Sequence, residues 1–305
     1  MINELAPIVL FTYNRLDHVK KLIQSLKKNS LSEKSKLYIF SDGWKSVSDK
    51  KNVMLVRKYL KNINSFKKIT IVERNKNLGL SENIISGVTD TLKFYKTVIV
   101  LEDDLILDKF FLDYMNQGLN AFRYNKSIAS IHGYIYPIKF DNKIPEYFLI
   151  KGADCWGWAT WRRSWKKFDS NGYRLKKIID KKKSKKEFNF NNSYDYYKML
   201  ENQINKKNNS WAIRCYASAF TKNMYTIYPS RTFVRNIGAD GSGTHGSGSR
   251  NVNKKRPSRK KFILMQKDKI KMIENLQARR KIEEYFNNKF DFKIKKIIQK
   301  IFKWI

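Results

Sequence analysis

The sequence predicts an α/β fold with a central, mostly parallel sheet flanked by helices, and three observations lead there. Apolar, β-branched runs alternate with segments of helical periodicity at intervals of roughly 30 residues. Each run stops abruptly in polar residues. The chain, 305 residues and 42% apolar, can bury a large core. Strand–helix–strand units of this kind make parallel sheets with right-handed crossovers, a Rossmann-like arrangement whose ligands sit beyond the carboxyl ends of the strands.

The first expected strand is "APIVLFTYNR" (Ala6 to Arg15), a nearly continuous apolar run halted by Asn14 and Arg15. Val19, Leu22, Ile23 and Leu26 follow at helical spacing. "KLYIFSDG" (Lys36 to Gly43) is the second strand, closed by the turn signal Ser41-Asp42-Gly43. A helix over Val53 to Ile63 leads to the third strand, "KITIVER" (Lys68 to Arg74). "NLGLSENIISGVTDTLKFY" (Asn77 to Tyr95) then reads as a helix capped by Ser81, with Ile84, Ile85, Val88 and Leu92 on its apolar face. The fourth strand is "TVIVLEDDLIL" (Thr97 to Leu107).

The second half changes character. "ADCWGWATWRRSWKKF" (Ala153 to Phe168) carries Trp156, Trp158, Trp161 and Trp165, of which at least two are expected in the core. The lysine-rich Asp180 to Tyr197 reads as a loop or mobile lid, and the Gly/Ser-rich Asn236 to Asn251 as irregular. "KKRPSRKK" (Lys254 to Lys261) opens a basic tail.

Lys and Arg number 63 against 27 Asp and Glu, a formal charge of +36 that attracts polyanions, although lysines spread over every segment equally fit a compositional bias. With only Cys155 and Cys215, a disulfide framework is not expected, and a reducing compartment is the default. The first residues lack the pattern of a secretory signal, and no run reaches the roughly 18 apolar residues of a membrane span. A cytoplasmic protein is therefore expected.

Glu102, Asp103 and Asp104 pose the chemical question, because adjacent carboxylates at the end of a buried strand repel one another and lose solvation. Hard carboxylate oxygens suit Mg²⁺ or Mn²⁺, and such an ion can bridge the phosphates of a nucleotide and act as a Lewis acid on a leaving diphosphate. An acidic turn capping the next helix is the plainer alternative.

The ordered set "PIVLFTYNR", "SDG", "RNKNLGLSENI", "VIVLEDD", "CWGWATWRRSW" and "NIGADGSGTH" resembles nucleotide-sugar-dependent glycosyltransferases of the GT-A fold. More closely, it is similar to bacterial surface-polysaccharide glycosyltransferases related to N-acetylglucosaminyltransferase I. The resemblance implies a catalytic domain over 1–250, with a nucleotide-binding half at 1–108 and an acceptor-binding half at 109–250, followed by a basic helical tail at 251–305. It places Thr12, Tyr13, Asn14 and Arg15 around uracil and ribose, Asp42 on the base, and Arg74, Asn77 and Gly79 along the nucleotide. Asp42 as a turn former and Gly79 as a helix-entry residue remain alternatives. It makes Asp104 the metal ligand for Mn²⁺ or Mg²⁺, turns Asp103 toward the donor, and leaves Glu102 to support them. Trp156, Gly157 and Trp158 match a "GxGW" segment beneath the donor sugar, where flat apolar faces pack against sugar rings. His245, in a loop whose glycines 238, 241, 243 and 246 can present amides to phosphate, completes a metal shell or bonds a phosphate oxygen.

A carboxylate must take the proton of the acceptor hydroxyl. The acidic tryptophan-rich motif that supplies it in eukaryotic relatives has Ala212 and Ile213 in its best match here, "NSWAIRCY". Asp154, Asp195 and Asp240 are the candidates, with Asp154 preferred beside the tryptophan block. In the tail, Phe290, Ile294, Ile297, Ile298, Ile301 and Ile305 share one helical face and Lys293, Lys296, Lys300 and Lys303 lie largely opposite. Such a helix either docks on the domain or lies in an anionic membrane surface. The resulting expectation is a transferase using a UDP-sugar and a glycan or lipid-linked glycan acceptor, peripheral on the inner face of the cell membrane. The competing class is a nucleic-acid-binding protein using the basic surface, but dispersed lysines and an acidic triplet in the main cleft argue against a specific nucleic-acid partner.

Overall fold

In the computed structural model, which describes residues 4–141, 143–240 and 262–301 (289–301 as helix backbone), the expected alternation is present. It runs β1 (Ile8–Thr12), α1 (Leu16–Lys27), β2 (Lys36–Ser41), α2 (Val47–Lys61), β3 (Lys68–Glu73), α3 (Gly79–Phe94) and β4 (Thr97–Glu102). Next come β5 (Leu105–Leu107), α4 (Phe111–Ala121), β6 (Ile128–His132), β7 (Tyr147–Lys151) and β8 (Trp158–Trp161). The helices α5 (Arg162–Trp165), α6 (Gly172–Lys181), α7 (Lys185–Phe188), α8 (Tyr196–Ile204) and α9 (Trp211–Thr221) precede β9 (Tyr225–Pro229), β10 (Val234–Asn236) and α10 (Leu276–Ile301).

Eight strands form one sheet in the order β3-β2-β1-β4-β8-β6-β9-β7. β3, β2, β1 and β4 are parallel, β6 and β9 run the same way, and β8 and β7 are the antiparallel exceptions. The fold is therefore α/β with a mostly parallel central sheet. Because strand side chains alternate between faces, Ile8 and Leu10 join α1, α2 and α4 in one core, while Val9 and Phe11 join α3 and α9 in another. A third cluster lies against β7 and β9 and gathers α6 to α9 with Ala278, Ile282 and Phe286 of α10. The first turns of α10 are thus integral to the core. The membrane-facing stripe expected from Phe290 onward lies outside the described side chains.

Three local expectations are corrected. The fourth strand does not run on to Leu107, because Asp103 and Asp104 form a turn and β5 leaves the sheet to pair with β10. Asp180 to Tyr197 is no lid: Phe188, Phe190 and Tyr197 are buried, and the chain bends through left-handed Phe190, Asn191 and Asn192. Helix α3 begins at Gly79, so Ser81 is not its cap. The outer edge of β7 is sealed by the chain entering α10, with the Asn275 N–H donating to Leu149 O at 2.8 Å and the Lys151 N–H to Glu274 Oε1 at 2.8 Å. Arg279, almost fully buried, ties Glu274, Glu283 and the Glu187 carbonyl to that edge. No helix among the described residues is long and apolar enough to cross a membrane.

Candidate active site

β1 pairs with β2 on one side and β4 on the other, so the chain's path across the sheet reverses between β1 and β4. At such a switch point the loops leaving the two strands diverge and open a crevice. Arg15 leaves β1 there, and Asp103 and Asp104 leave β4. The Arg15 guanidinium donates from Nη2 to Asp103 Oδ1 and, at 3.3 Å, to Asp104 Oδ2. Its Nη1 is buried and has no partner among the described residues. Desolvation works against the Arg15 charge, but Asp103 and Asp104 outweigh it and hold its pKa above the ordinary value.

Burial raises Asp103 to about 6 despite Arg15, and burial with the Asp104 and Asp103 charges raises Glu102 to about 8. One guanidinium therefore leaves the triplet short of positive charge. Asp104 is more accessible than Asp103, with 16% against 5% of its side chain exposed. Such carboxylates fit Mg²⁺ or Mn²⁺ in the mode where one or two protein carboxylates share the ion with substrate phosphates. Among the described residues no group of three or more His, Cys, Asp or Glu forms a metal cage. The chain bearing Gly238 packs directly on Asp104, with the Ile237 N–H donating to the Asp104 carbonyl at 2.8 Å and a Cβ at Gly238 colliding with its carboxylate. Beside it, His18 Nε2 lies 3.2 Å from Asp240 Oδ2. His245 and glycines 241, 243 and 246 lie outside the described residues.

The other β-end residues divide into free and engaged groups. Thr12 is buried at the end of β1, and its hydroxyl has no partner among the described residues. Tyr13 and Asn14 are tied to the first turn of α2, donating to the Asp49 carboxylate at 2.9 and 3.2 Å. Asp42 is only 4% exposed and its carboxylate accepts the N–H groups of Gly43, Leu78 and Gly79 at 2.9 Å, and Asn77 Nδ2 at 3.3 Å. It is the remote cap of α3, and both of its oxygens are engaged within the chain. Asn77 also donates to Gly43 O at 2.7 Å, and Gly79 occupies φ +75°, where glycine is favoured. Arg74 lies over the Phe40 ring and donates to Asn83 and Ser86 of α3, so it braces the helix beside the crevice.

Antiparallel β8 starts at the same edge, which brings the tryptophan block to the site. Gly157, at φ +61°, passes against Val234 and Phe111, and its carbonyl accepts the Gly133 N–H at 2.7 Å. Trp158 lies in the core: it is 1% exposed and packs between Trp165 and Trp211. Trp161 and Trp165 are core as well. Trp156 is only partly buried, edge-on to Tyr134 at 4.6 Å, and is the one tryptophan of the block that is not buried.

Asp154 is held beside it with 23% of its side chain exposed. Its Oδ1 accepts the Cys155 N–H at 2.7 Å and its Oδ2 the Tyr228 hydroxyl at 3.0 Å. Burial, and secondarily Asp154, pushes the Cys155 thiol and the Tyr228 hydroxyl well above their ordinary pKa values, so both stay protonated at neutral pH. Sequence reading gave no role to Tyr228 or His132; their only signal was position at the ends of the apolar runs that form β9 and β6. Of the other base candidates, Asp195 caps α8 through the Lys198 N–H.

No family model matches the chain, and no curated protein matches it. Solved structures similar to part of it include S. aureus TarS, 16% identical over 41% of this chain and 20% of that one, with a TM-score of 0.30. S. aureus TarS 1–349 in complex with UDP is 15% identical over 46% and 37% of the two chains, with a TM-score of 0.31. Mannosyltransferase PcManGT from Pyrobaculum calidifontis, in complex with GDP-Man and Mn²⁺, is 10% identical over 45% and 37%, with a TM-score of 0.30. Each match thus spans well under half of the partner chain.

Proposed function

We propose that this chain is a nucleotide-sugar-dependent glycosyltransferase that moves a sugar, from a UDP-sugar on the motif resemblance, to a hydroxyl of a glycan or lipid-linked glycan. The observation that carries the reading is the β1/β4 switch point, where Arg15 faces Asp103 and Asp104 with a buried N–H to spare. On this reading that N–H takes a phosphate oxygen of the donor, a charge-assisted bond. Asp104, supported by Asp103, would hold Mn²⁺ or Mg²⁺. Bound there, the ion supplies Lewis-acid stabilisation of charge on the departing diphosphate.

Asp154 acts as the base. As the acceptor oxygen attacks the anomeric carbon, its proton passes to the Asp154 carboxylate, and the bond from that carbon to the diphosphate oxygen breaks with its electron pair leaving on the diphosphate. Trp156 is the apolar surface beside the reacting sugar, and the aromatic walls exclude competing water. We place the pathway in bacterial surface polysaccharide synthesis, capsule or lipopolysaccharide, at the cytoplasmic face of the membrane.

A screen of nucleotide sugars for Mn²⁺-stimulated hydrolysis tests the class without needing the acceptor. Asp104→Ala is expected to abolish both that hydrolysis and Mn²⁺-dependent protection by UDP against thermal unfolding; hydrolysis surviving the substitution counts against the assignment. Salt-sensitive RNA binding with no donor hydrolysis would instead favour the nucleic-acid reading. Removing residues 290–305 is expected to release the protein from anionic vesicles with its unfolding midpoint unchanged, and unaltered vesicle binding would refute the anchor.

A further inference from the structure

We propose that His132 is a positioning residue for Asp154, a neutral imidazole whose single proton sits on Nδ1 and points at the Asp154 carboxylate. The inference rests on the reading of Asp154 as the base and concerns how that carboxylate is aimed.

His132 ends β6 and is fully buried. The Trp156 N–H donates to its Nε2 at 3.2 Å, so that nitrogen must present a lone pair. In a neutral imidazole the one proton is then on Nδ1. Nδ1 has no partner among the described residues and lies 3.7 Å from Asp154 Oδ2, slightly beyond hydrogen-bonding range. A buried N–H left unmatched is costly, and a shift of well under 1 Å would complete the bond, consistent with catalytic contacts that tighten once substrate binds.

The ring has little freedom to turn away. Tyr228 packs edge-on against it at 4.9 Å and Tyr134 at 6.1 Å, while the Tyr114 hydroxyl donates to the His132 carbonyl at 3.0 Å. Burial, opposed only in part by Asp154, lowers its pKa and keeps it uncharged. Tyr228 and His132 thus converge on Oδ2. Oδ1, which accepts the Cys155 N–H, is left as the oxygen for the incoming proton. The same imidazole, through Trp156 N, fixes the start of the tryptophan block, so base and sugar platform share one anchor.

The first test is ¹⁵N NMR of the full chain, whose three histidines are separable by loss of one set of signals in His132→Gln. The expected signature at neutral pH is a protonated Nδ1 with a lone-pair-bearing Nε2; an Nε2–H tautomer or an imidazolium overturns the proposal. The second test is kinetic. His132→Gln keeps an acceptor near Nε2 and loses the Nδ1 donor, whereas His132→Asn places an amide donor near Nδ1. Transfer kcat should fall about tenfold or more in the glutamine variant with donor KM unmoved, and recover toward wild type in the asparagine variant. Equal losses in both, or no loss in the glutamine variant, overturn the positioning role. If the wild-type chain hydrolyses no nucleotide sugar, the transferase reading fails and takes the positioning role with it, while the NMR result still assigns the tautomer.

Discussion

Replacing Asp42 with alanine removes an acceptor shared by four N–H donors, two of them at the amino end of α3. Losing the helix cap alone costs about 1 kcal/mol. The stranded Gly43 N–H and the half-satisfied Asn77 amide, which keeps its bond to Gly43 O, add about 2 kcal/mol more. Asp42→Ala should therefore lower the unfolding free energy by about 3 kcal/mol. Asp42→Asn should cost nearly as much, since its amide would turn N–H groups toward the N–H groups it must accept. Urea titration followed by tryptophan fluorescence, with and without UDP, separates capping from base recognition. A wild-type midpoint in Asp42→Asn combined with weakened UDP binding would refute the capping assignment and restore the base-reading one.

The tryptophans should separate in the same assay. Trp158→Ala removes a buried indole packed between two others and should cost about 3–5 kcal/mol, whereas Trp156→Ala should mainly raise the KM for donor or acceptor; equal destabilisation by the two would contradict the division. Asp103 predicts a pH dependence. Its pKa rises from 3.8 to about 6 on folding, so its contribution to stability is fully present below pH 4 and is lost as pH rises through 6. At 4% exposure the change amounts to about 3 kcal/mol, and the stability of wild type relative to Asp103→Asn should fall by that amount between pH 4 and pH 7. Parallel pH profiles for the two proteins would dismiss it.

Strands β1, β2 and β4 are legible in the sequence because each is buried along most of its length and shows as an apolar run with a polar end, whereas β3, at the sheet edge and nowhere fully buried, shows by its β-branched residues. Ile8 to Thr12, every residue buried, is the clearest case. The polar residues at those ends were legible for the same reason, and Arg15, Asp103 and Asp104 do meet. What failed was decided by distant partners. The separation of β5 from β4 depends on pairing Leu105 with Asn236, which no local pattern encodes. The capping of α3 by Asp42 was equally hidden, because the donors that it accepts come largely from residues 77–79. Lysines concealed the aromatic anchors Phe188 and Phe190, so a packed segment read as a loop. Trp156 and Trp158 stand two positions apart and look interchangeable in sequence; the strand start at Trp158 sends one into the core and leaves the other at the edge.

The seal along β7 bears on how the protein fails when it is shortened. Without residues 274–286, the last strand of the sheet would present bare amides and carbonyls to other chains, and the aromatic cluster against β7 and β9 would lose Ala278, Ile282 and Phe286. An uncovered strand edge beside exposed apolar surface is a template for intermolecular pairing. A chain cut near residue 250, where the composition turns basic, should therefore accumulate as aggregate, while one ending after residue 288 keeps its edge protected.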